Sequence, residues 1–142
     1  MEASSSSSDI KGNESTNNRP EGGRFLNAPA FRISLPKHYR QIRSEKAWEN
    51  SERNAITLLH NDQLRLVMIA LHESGEIPKH KVEGPCIIQV QEGRIWVETD
   101  DMSITIDEGE VLALDAGVAH CIHAEMESVI LLTLTGNKGG DY

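Results

Sequence analysis

The chain has few aromatic residues, few cysteines and no long apolar run. Of its 142 residues, 4% are Phe, Trp or Tyr, so its core must come mainly from Val, Ile and Leu, which favour strands. Two cysteines, Cys86 and Cys121, are too few for a disulfide-stabilised scaffold. No stretch approaches the roughly 20 apolar residues that a membrane-spanning helix needs. The N-terminus, MEASSSSSDIKGNES, lacks the apolar segment of a secretory signal, and we therefore expect a cytoplasmic protein.

Positive charge is also scarce. The chain has 14 Lys and Arg against 22 Asp and Glu, which gives a formal net charge of −8 at pH 7. Proteins that bind the phosphate backbone of nucleic acids need a basic face, and this composition does not supply one. The same charge argues against binding to anionic membranes. We therefore expect neither a nucleic-acid nor a membrane partner, and the acidic exterior is typical of a solvated protein surface.

The composition divides the chain into three regions. Residues 1–24 are rich in Ser, Asn, Gly and acidic residues, and this predicts a disordered tail. Residues 25–52 begin with the apolar segment FLNAPAFRISL, predicted to be an arm that lies on the domain or on a neighbouring subunit. A short helix is expected next, in RSEKAWENSERN, with Ser44 as its N-cap and Trp48 as its anchor. Residues 53–136 carry the domain itself.

Nine short β-rich segments follow one another in this last region, separated by turn residues. They are Ala55–Leu59, Leu64–Leu71, Ile77–Val82, Cys86–Gln91, Arg94–Glu98, Met102–Ile106, Val111–Leu114, His120–Ala124 and Val129–Thr135. Parallel strands need long crossover connections, which are usually helices, and none is predicted between these segments. The pattern therefore predicts an all-β fold, an antiparallel sandwich, barrel or jelly roll. Gly93, Gly109 and Gly117 are expected at turns that need positive φ.

Two stretches of the sequence resemble the two conserved motifs of the cupin superfamily. The first is GEIPKHKVEGPCIIQVQEG, residues 75–93, where cupins have a glycine, a His-x-His pair, a glutamate and a second glycine. Its matching positions are Gly75, His80, Val82, Cys86 and Gly93. The second motif has a glycine, a proline, a glycine and a histidine. Here those positions are Gly109, Asp115, Gly117 and His120.

The resemblance implies a small, single-domain cupin: a jelly-roll β-barrel, often dimeric. Many cupins hold Fe, Mn, Zn, Ni or Cu inside the barrel on three histidines and one glutamate. His80 and His120 match two of these ligands, whereas Val82 replaces the second histidine of the pair and Cys86 replaces the glutamate. The resemblance therefore implies a depleted metal site. His80, His120 and Cys86 are the candidate ligands, and Zn or Fe is the candidate ion because both tolerate a thiolate.

The alternation of side chains along a strand predicts which way the residues next to these candidate ligands face. Positions i and i+2 of a strand face the same way, so His80 and Val82 are expected to point into the barrel together. By the same rule Cys86 shares a face with Ile88, and His120 shares one with Ile122. The predicted pocket is thus lined by His80, Val82, Cys86, Ile88, His120 and Ile122. Cys121 and His123 have the opposite parity to His120, and we expect them to face outward or toward a neighbouring sheet, in a structural role.

Three functions fit these observations, and whether the protein is an enzyme is left open. The leading hypothesis is a cupin that binds a small molecule in its barrel, without strong metal-dependent catalysis. The second is a Zn- or Fe-dependent oxygenase or isomerase that acts on a small polar substrate. The third is a structural or regulatory module with a packed, empty barrel. We also expect a homodimer, with Phe25, Phe31 and Ile33 in or near the interface.

Overall fold

The computed structural model of the protein describes residues 11–13, 24–30 and 32–136. These residues form two helices and eleven strands. In chain order the elements are β1 (Lys11–Asn13), β2 (Arg24–Asn27), α1 (Leu35–Ser44), α2 (Lys46–Asn50), β3 (Arg53–His60), β4 (Leu64–Leu71), β5 (Glu76–His80), β6 (Cys86–Glu92), β7 (Arg94–Thr99), β8 (Ser103–Asp107), β9 (Val111–Leu114), β10 (His120–Ala124) and β11 (Ser128–Thr135).

The predicted all-β architecture is confirmed, because nine of these strands form two antiparallel sheets. The larger sheet has the order β3-β4-β11-β6-β9, and the smaller one has the order β5-β10-β7-β8. The inner faces of the two sheets enclose one apolar core, which contains Val67, Ile88, Val97, Ile122 and Leu132 among others. For β4, β9 and β10 the predicted bounds agree with the structure at both ends.

The strands β4 and β11 are apolar along most of their length because they are covered on both faces. In β4, Val67 and Ile69 lie in the core between the sheets, whereas Met68 belongs to a second cluster on the outer face of the larger sheet. In β11, Ile130 lies in the core between the sheets and Val129 belongs to the second cluster. A continuous apolar run is the expected pattern for a strand buried on both sides.

The second cluster is covered by the two helices, and here the sequence-based prediction was partly wrong. Ser44 is the last residue of α1 and does not cap the helix that carries Trp48. The missed helix α1 is capped by Ser34, whose side chain accepts a hydrogen bond from the backbone N–H of Lys37 at 3.4 Å. Pro36 lies in its first turn, where the absent N–H removes no helical hydrogen bond, so the proline begins a helix here and does not break one.

Trp48 anchors the helices, as predicted. It is buried in the second cluster and its ring stacks on His72, with 3.4 Å between the ring centroids. Arg43 on α1 forms ion pairs with Glu92 at 2.8 Å and Glu127 at 2.9 Å, which hold the helix on the larger sheet. In addition, the side-chain amide of Asn54 donates to the carbonyl oxygen of Ile42 at 2.9 Å.

The last residues of the predicted arm pack on the domain of their own chain. Ile33, expected in or near a dimer interface, packs against the second cluster of its own chain. Phe31 lies outside the described residues, and Phe25 belongs to β2. The tail predicted to be disordered also lies mostly outside the described residues, but Lys11–Asn13 pairs with Arg24–Asn27 as a two-stranded ribbon. That difference has a simple reason, because backbone pairing does not need apolar side chains.

Two local features position the strands that carry the site. β5 ends at His80 and not at the predicted Val82, since the chain turns away and the carbonyl oxygen of Val82 accepts a hydrogen bond from the N–H of Gly117 at 2.9 Å. Gly93 joins β6 to β7 with φ of 88°, and Gly109 and Gly117 also have positive φ, as predicted. Within the described residues, neither helix has the length and apolar character needed to cross a membrane.

Candidate functional site

The structure brings together the two histidines that the sequence motifs singled out. His80 ends β5, and it is the direct antiparallel partner of His120, which begins β10. Their ring centroids are 4.6 Å apart and the planes are inclined at 53°. His120 has no solvent exposure, whereas His80 is half-buried. The pair therefore extends from the interior of the molecule toward its surface.

Backbone carbonyl groups orient both imidazole rings. Nδ1 of His80 lies 2.8 Å from the carbonyl oxygen of Pro78, and Nδ1 of His120 lies 3.0 Å from that of Val118. A carbonyl oxygen only accepts, so each Nδ1 carries the hydrogen, and in the neutral ring Nε2 is the atom with the lone pair. Burial lowers the pKa of His120, an effect that the neighbouring His80 reinforces and the hydrogen bond to Val118 opposes. Burial thus favours the neutral ring.

The other predicted pocket residues lie in the core between the sheets. Val82, Cys86, Ile88 and Ile122 are all buried and belong to the same apolar cluster. The predicted alternation holds here, because Cys86 and Ile88 face the core and Ile87 between them is exposed. Burial raises the pKa of the Cys86 thiol and so favours its protonated form.

The structure does not gather the predicted metal ligands into a compact group. Within the described residues, the one set of three or more His, Cys, Asp or Glu whose ligand atoms all lie within 4.8 Å of one another does not include His80, His120 or Cys86. The physical reason is the topology. The two histidines are direct partners within the smaller sheet, whereas Cys86 belongs to β6 of the larger sheet.

The compact group consists of Glu76, Cys121 and His123, and it lies on the other face of the smaller sheet. Nε2 of His123 is 3.3 Å from Sγ of Cys121 and 3.7 Å from Oε2 of Glu76. Burial raises the pKa of the Cys121 thiol, and the carboxylates of Glu98 and Glu76 raise it further. The parity of Cys121 and His123 was predicted from the sequence, but their proximity to Glu76 was not.

Trp96 completes this outer face. Its ring packs against that of His123, with 4.2 Å between the centroids. The two residues are direct partners in the β7–β10 pair. The only sequence signal for this group was the i, i+2 spacing of Cys121 and His123, which places both on one face of a strand.

A separate cleft of about 410 Å³ lies between β8 and β9, an edge strand of each sheet. It is lined by Ile104, Thr105 and Ile106 of β8 and by Glu110, Val111 and Leu112 in and beside β9. None of the predicted pocket residues lines this cleft.

Comparisons with known proteins identify the fold. No family model matches the sequence, and no curated protein sequence matches it either. Solved structures do match. A cupin superfamily protein from Desulfitobacterium hafniense is 16% identical with a TM-score of 0.59, over 61% of this chain and 79% of that one. A cupin-2 domain protein from Shewanella frigidimarina is 17% identical with a TM-score of 0.59, over 72% and 93%.

A third similar structure, KdgF from a Halomonas species, is 17% identical with a TM-score of 0.55, over 59% of this chain and 78% of that chain. At these identities the likeness concerns the fold alone. It agrees with the motifs read from the sequence and with the two antiparallel sheets. The chain is therefore a small domain with the cupin fold.

Proposed function

We propose that this cupin-fold domain binds a small polar molecule at the His80–His120 pair. The observation that carries the proposal is the arrangement of the two rings, which lie in register with each Nδ1 held by a backbone carbonyl. Such rings are oriented without the help of a ligand, and preorganised groups bind with a smaller loss of side-chain entropy. His80 is half-buried with its Nε2 shielded from solvent, and Val82 and Ile122, each two positions along the chain from one of the histidines, are buried in the core.

The electrostatics favour a ligand with hydrogen-bond donors. A neutral imidazole with its hydrogen on Nδ1 offers Nε2 as an acceptor, and the lowered pKa of His120 keeps that ring neutral near pH 7. A hydroxyl or N–H group of a ligand suits a neutral ring of this kind. A carboxylate or phosphate favours a protonated ring, and it would also approach a chain with a net charge of −8. The proposed ligand class is therefore a neutral, hydroxyl-rich small molecule.

A metal-dependent oxygenase or isomerase is the second candidate. The same ring orientation supports it, because metal-binding histidines usually donate their other ring N–H to a carbonyl or carboxylate. Two imidazoles alone make a weak site for Zn or Fe, and Cys86 on the opposite sheet is not grouped with them. Ligand binding without strong metal-dependent catalysis is therefore the preferred function. The cytoplasmic location stays a prediction.

The test is an NMR titration of the histidine ring nitrogens with two matched panels, neutral monosaccharides and the corresponding sugar acids. We expect at least one neutral sugar to shift the Nε2 signals of His80 and His120. His80→Gln should weaken that binding about tenfold, the loss expected when about 1.4 kcal/mol of interaction is removed. His60→Gln is the matched control, because His60 is exposed at the end of β3, and it should leave binding unchanged.

Three outcomes decide between the candidates. Shifts with neutral sugars that depend on His80 support the proposal. Shifts that occur only when Zn²⁺ or Fe²⁺ is added support the metal-dependent enzyme. No shift with either panel or with metal, in a protein whose spectrum shows it to be folded, rejects both and favours the structural or regulatory module.

A further inference from the structure

The outer face of the smaller sheet presents four potential metal ligands from three adjacent strands. β10 is the central strand of the three and contributes Cys121 and His123, two residues apart and on the same face. Glu76 on β5 is the direct partner of His123, and Glu98 on β7 is the direct partner of Cys121. Direct cross-strand partners have Cβ atoms about 4.5–5.5 Å apart, so the sheet itself holds these side chains together.

The distances between the donor atoms fit a tetrahedral zinc site. Zinc lies about 2.3 Å from thiolate sulfur and about 2.0–2.2 Å from imidazole nitrogen or carboxylate oxygen, so the edges of a regular site are about 3.4–3.6 Å long. The structure has 3.3 Å between Sγ of Cys121 and Nε2 of His123, and 3.7 Å between that nitrogen and Oε2 of Glu76. Sγ of Cys121 is also 3.6 Å from Oε1 of Glu98.

We propose that Glu76, Cys121 and His123 bind a zinc-like divalent cation, with Glu98 as the fourth ligand. The first three already form a compact group. Glu98 lies beside Cys121 and has an exposed side chain, so a rotation of that side chain brings its carboxylate to the ion. Binding releases one proton to water: the Cys121 S–H bond breaks, its electron pair forms the sulfur–metal bond, and His123 binds through the lone pair of its neutral ring.

The surroundings of this group favour the binding of a small cation. Cys121 is only 9% exposed, so its sulfur is shielded, while the two carboxylates supply negative charge next to it. Trp96 packs against the His123 ring and limits its movement. Lys79 interacts electrostatically with Cys121, and its ammonium group forms an ion pair with Asp100. A bound ion would link β5, β10 and β7 and so stabilise the sheet that carries His80 and His120.

This site is independent of the proposed ligand site. His120 faces the interior of the sandwich, whereas Cys121 and His123 lie on the other side of the same strand. The two buried cysteines make a matched pair for the test, since Cys86 lies in the core and Cys121 on the outer face. Each can be replaced by serine in the full-length chain without touching the other site.

The experiment is titration with Co²⁺, followed by the thiolate-to-cobalt charge-transfer absorption, together with Zn²⁺ titration followed by the melting temperature. We expect one equivalent of Co²⁺ to produce the absorption in the wild-type protein and in Cys86→Ser, and not in Cys121→Ser. Zn²⁺ should raise the melting temperature of the first two proteins only. His123→Gln should weaken Zn²⁺ binding by at least about 100-fold, the upper end of what even an outer-shell substitution costs.

Glu98→Gln keeps the proposal testable if the buried variants do not fold, because an exposed carboxylate can be replaced without disturbing the core. It should weaken Zn²⁺ binding about tenfold and leave the melting temperature without metal unchanged. Absence of the cobalt absorption in the wild-type protein would overturn the proposal. So would an absorption that survives Cys121→Ser and disappears in Cys86→Ser, because the metal would then lie in the barrel.

Discussion

His120 and His123 lie on the same short strand and face opposite sides of its sheet. The His120 ring is fully buried beside that of His80, whereas the His123 ring packs against Trp96 and lies 3.3 Å from the sulfur of Cys121. One strand, β10, therefore carries both the proposed ligand site and the proposed metal site. The two proposals can fail separately, because substitutions at Cys121 leave the inner face unchanged.

Acid should destabilise the protein through His120. Its pKa is lowered in the folded state from the ordinary value of 6.5, so the unfolded chain binds more protons as the pH falls below that value. The free energy of unfolding therefore decreases from pH 6.5 downward until the folded-state pKa is reached, and this contribution is fully present above pH 6.5. Urea unfolding at a series of pH values should show a smaller decrease for His120→Gln than for the wild-type protein. An equal decrease in both proteins would contradict the prediction.

Trp48 should be the main anchor of the helices. Trp48→Ala removes a buried ring that stacks on His72, and we expect a loss of about 3–5 kcal/mol in the free energy of unfolding. Met102→Ala is the control, because Met102 is 53% exposed and its truncation should change stability by less than about 0.5 kcal/mol. Urea unfolding midpoints measure both. Similar midpoints for the two variants would show that the helices contribute little to the fold.

Gly93 and Gly109 form a matched pair of turn residues. Both have positive φ, 88° and 85°, so alanine at either position should be strained by about 1–2 kcal/mol. At Gly93 a methyl group would also meet the side chain of Ser128 and lie 2.5 Å from the carbonyl oxygen of Glu127, whereas at Gly109 it would have no neighbour within 4 Å. The free energy of unfolding of Gly93→Ala should therefore be lower than that of Gly109→Ala by about 1–3 kcal/mol. Equal losses in thermal unfolding would be evidence against the close packing of this turn.

We propose that the protein is a homodimer. Truncation of the N-terminus tests the role of the arm within one chain, and light scattering tests the dimer. Removing residues 1–20 should leave the melting temperature unchanged. Removing residues through Leu35 should lower it, because Ile33 packs on the second cluster and Ser34 caps α1. Light scattering at micromolar concentration should report a dimer for the full chain, and a strictly monomeric protein would reject the proposal.

The antiparallel fold could be predicted from the sequence because the signals for it are local. Alternation along each strand and the turn residues between strands act over a few positions, and they predicted nine strands and the buried face of β6. The positions of His80 and His120 in two spaced motifs were also readable, since the motifs themselves are short. The helix α1 was missed because its first residue, Leu35, was assigned to the apolar arm, although the proline that follows is compatible with the first turn of a helix.

The tertiary structure decided which chemistry-bearing side chains meet. Cys86 is only six residues from His80, yet it lies on the other sheet, because the chain turns at Gly84 and Pro85 and crosses the sandwich. Glu76 is 47 positions before His123 but is its direct partner, because the register of β5 against β10 brings them together. β5 and β10 are not joined by a hairpin turn that could fix their register, so the register is set by how these distant strands pack on a common core.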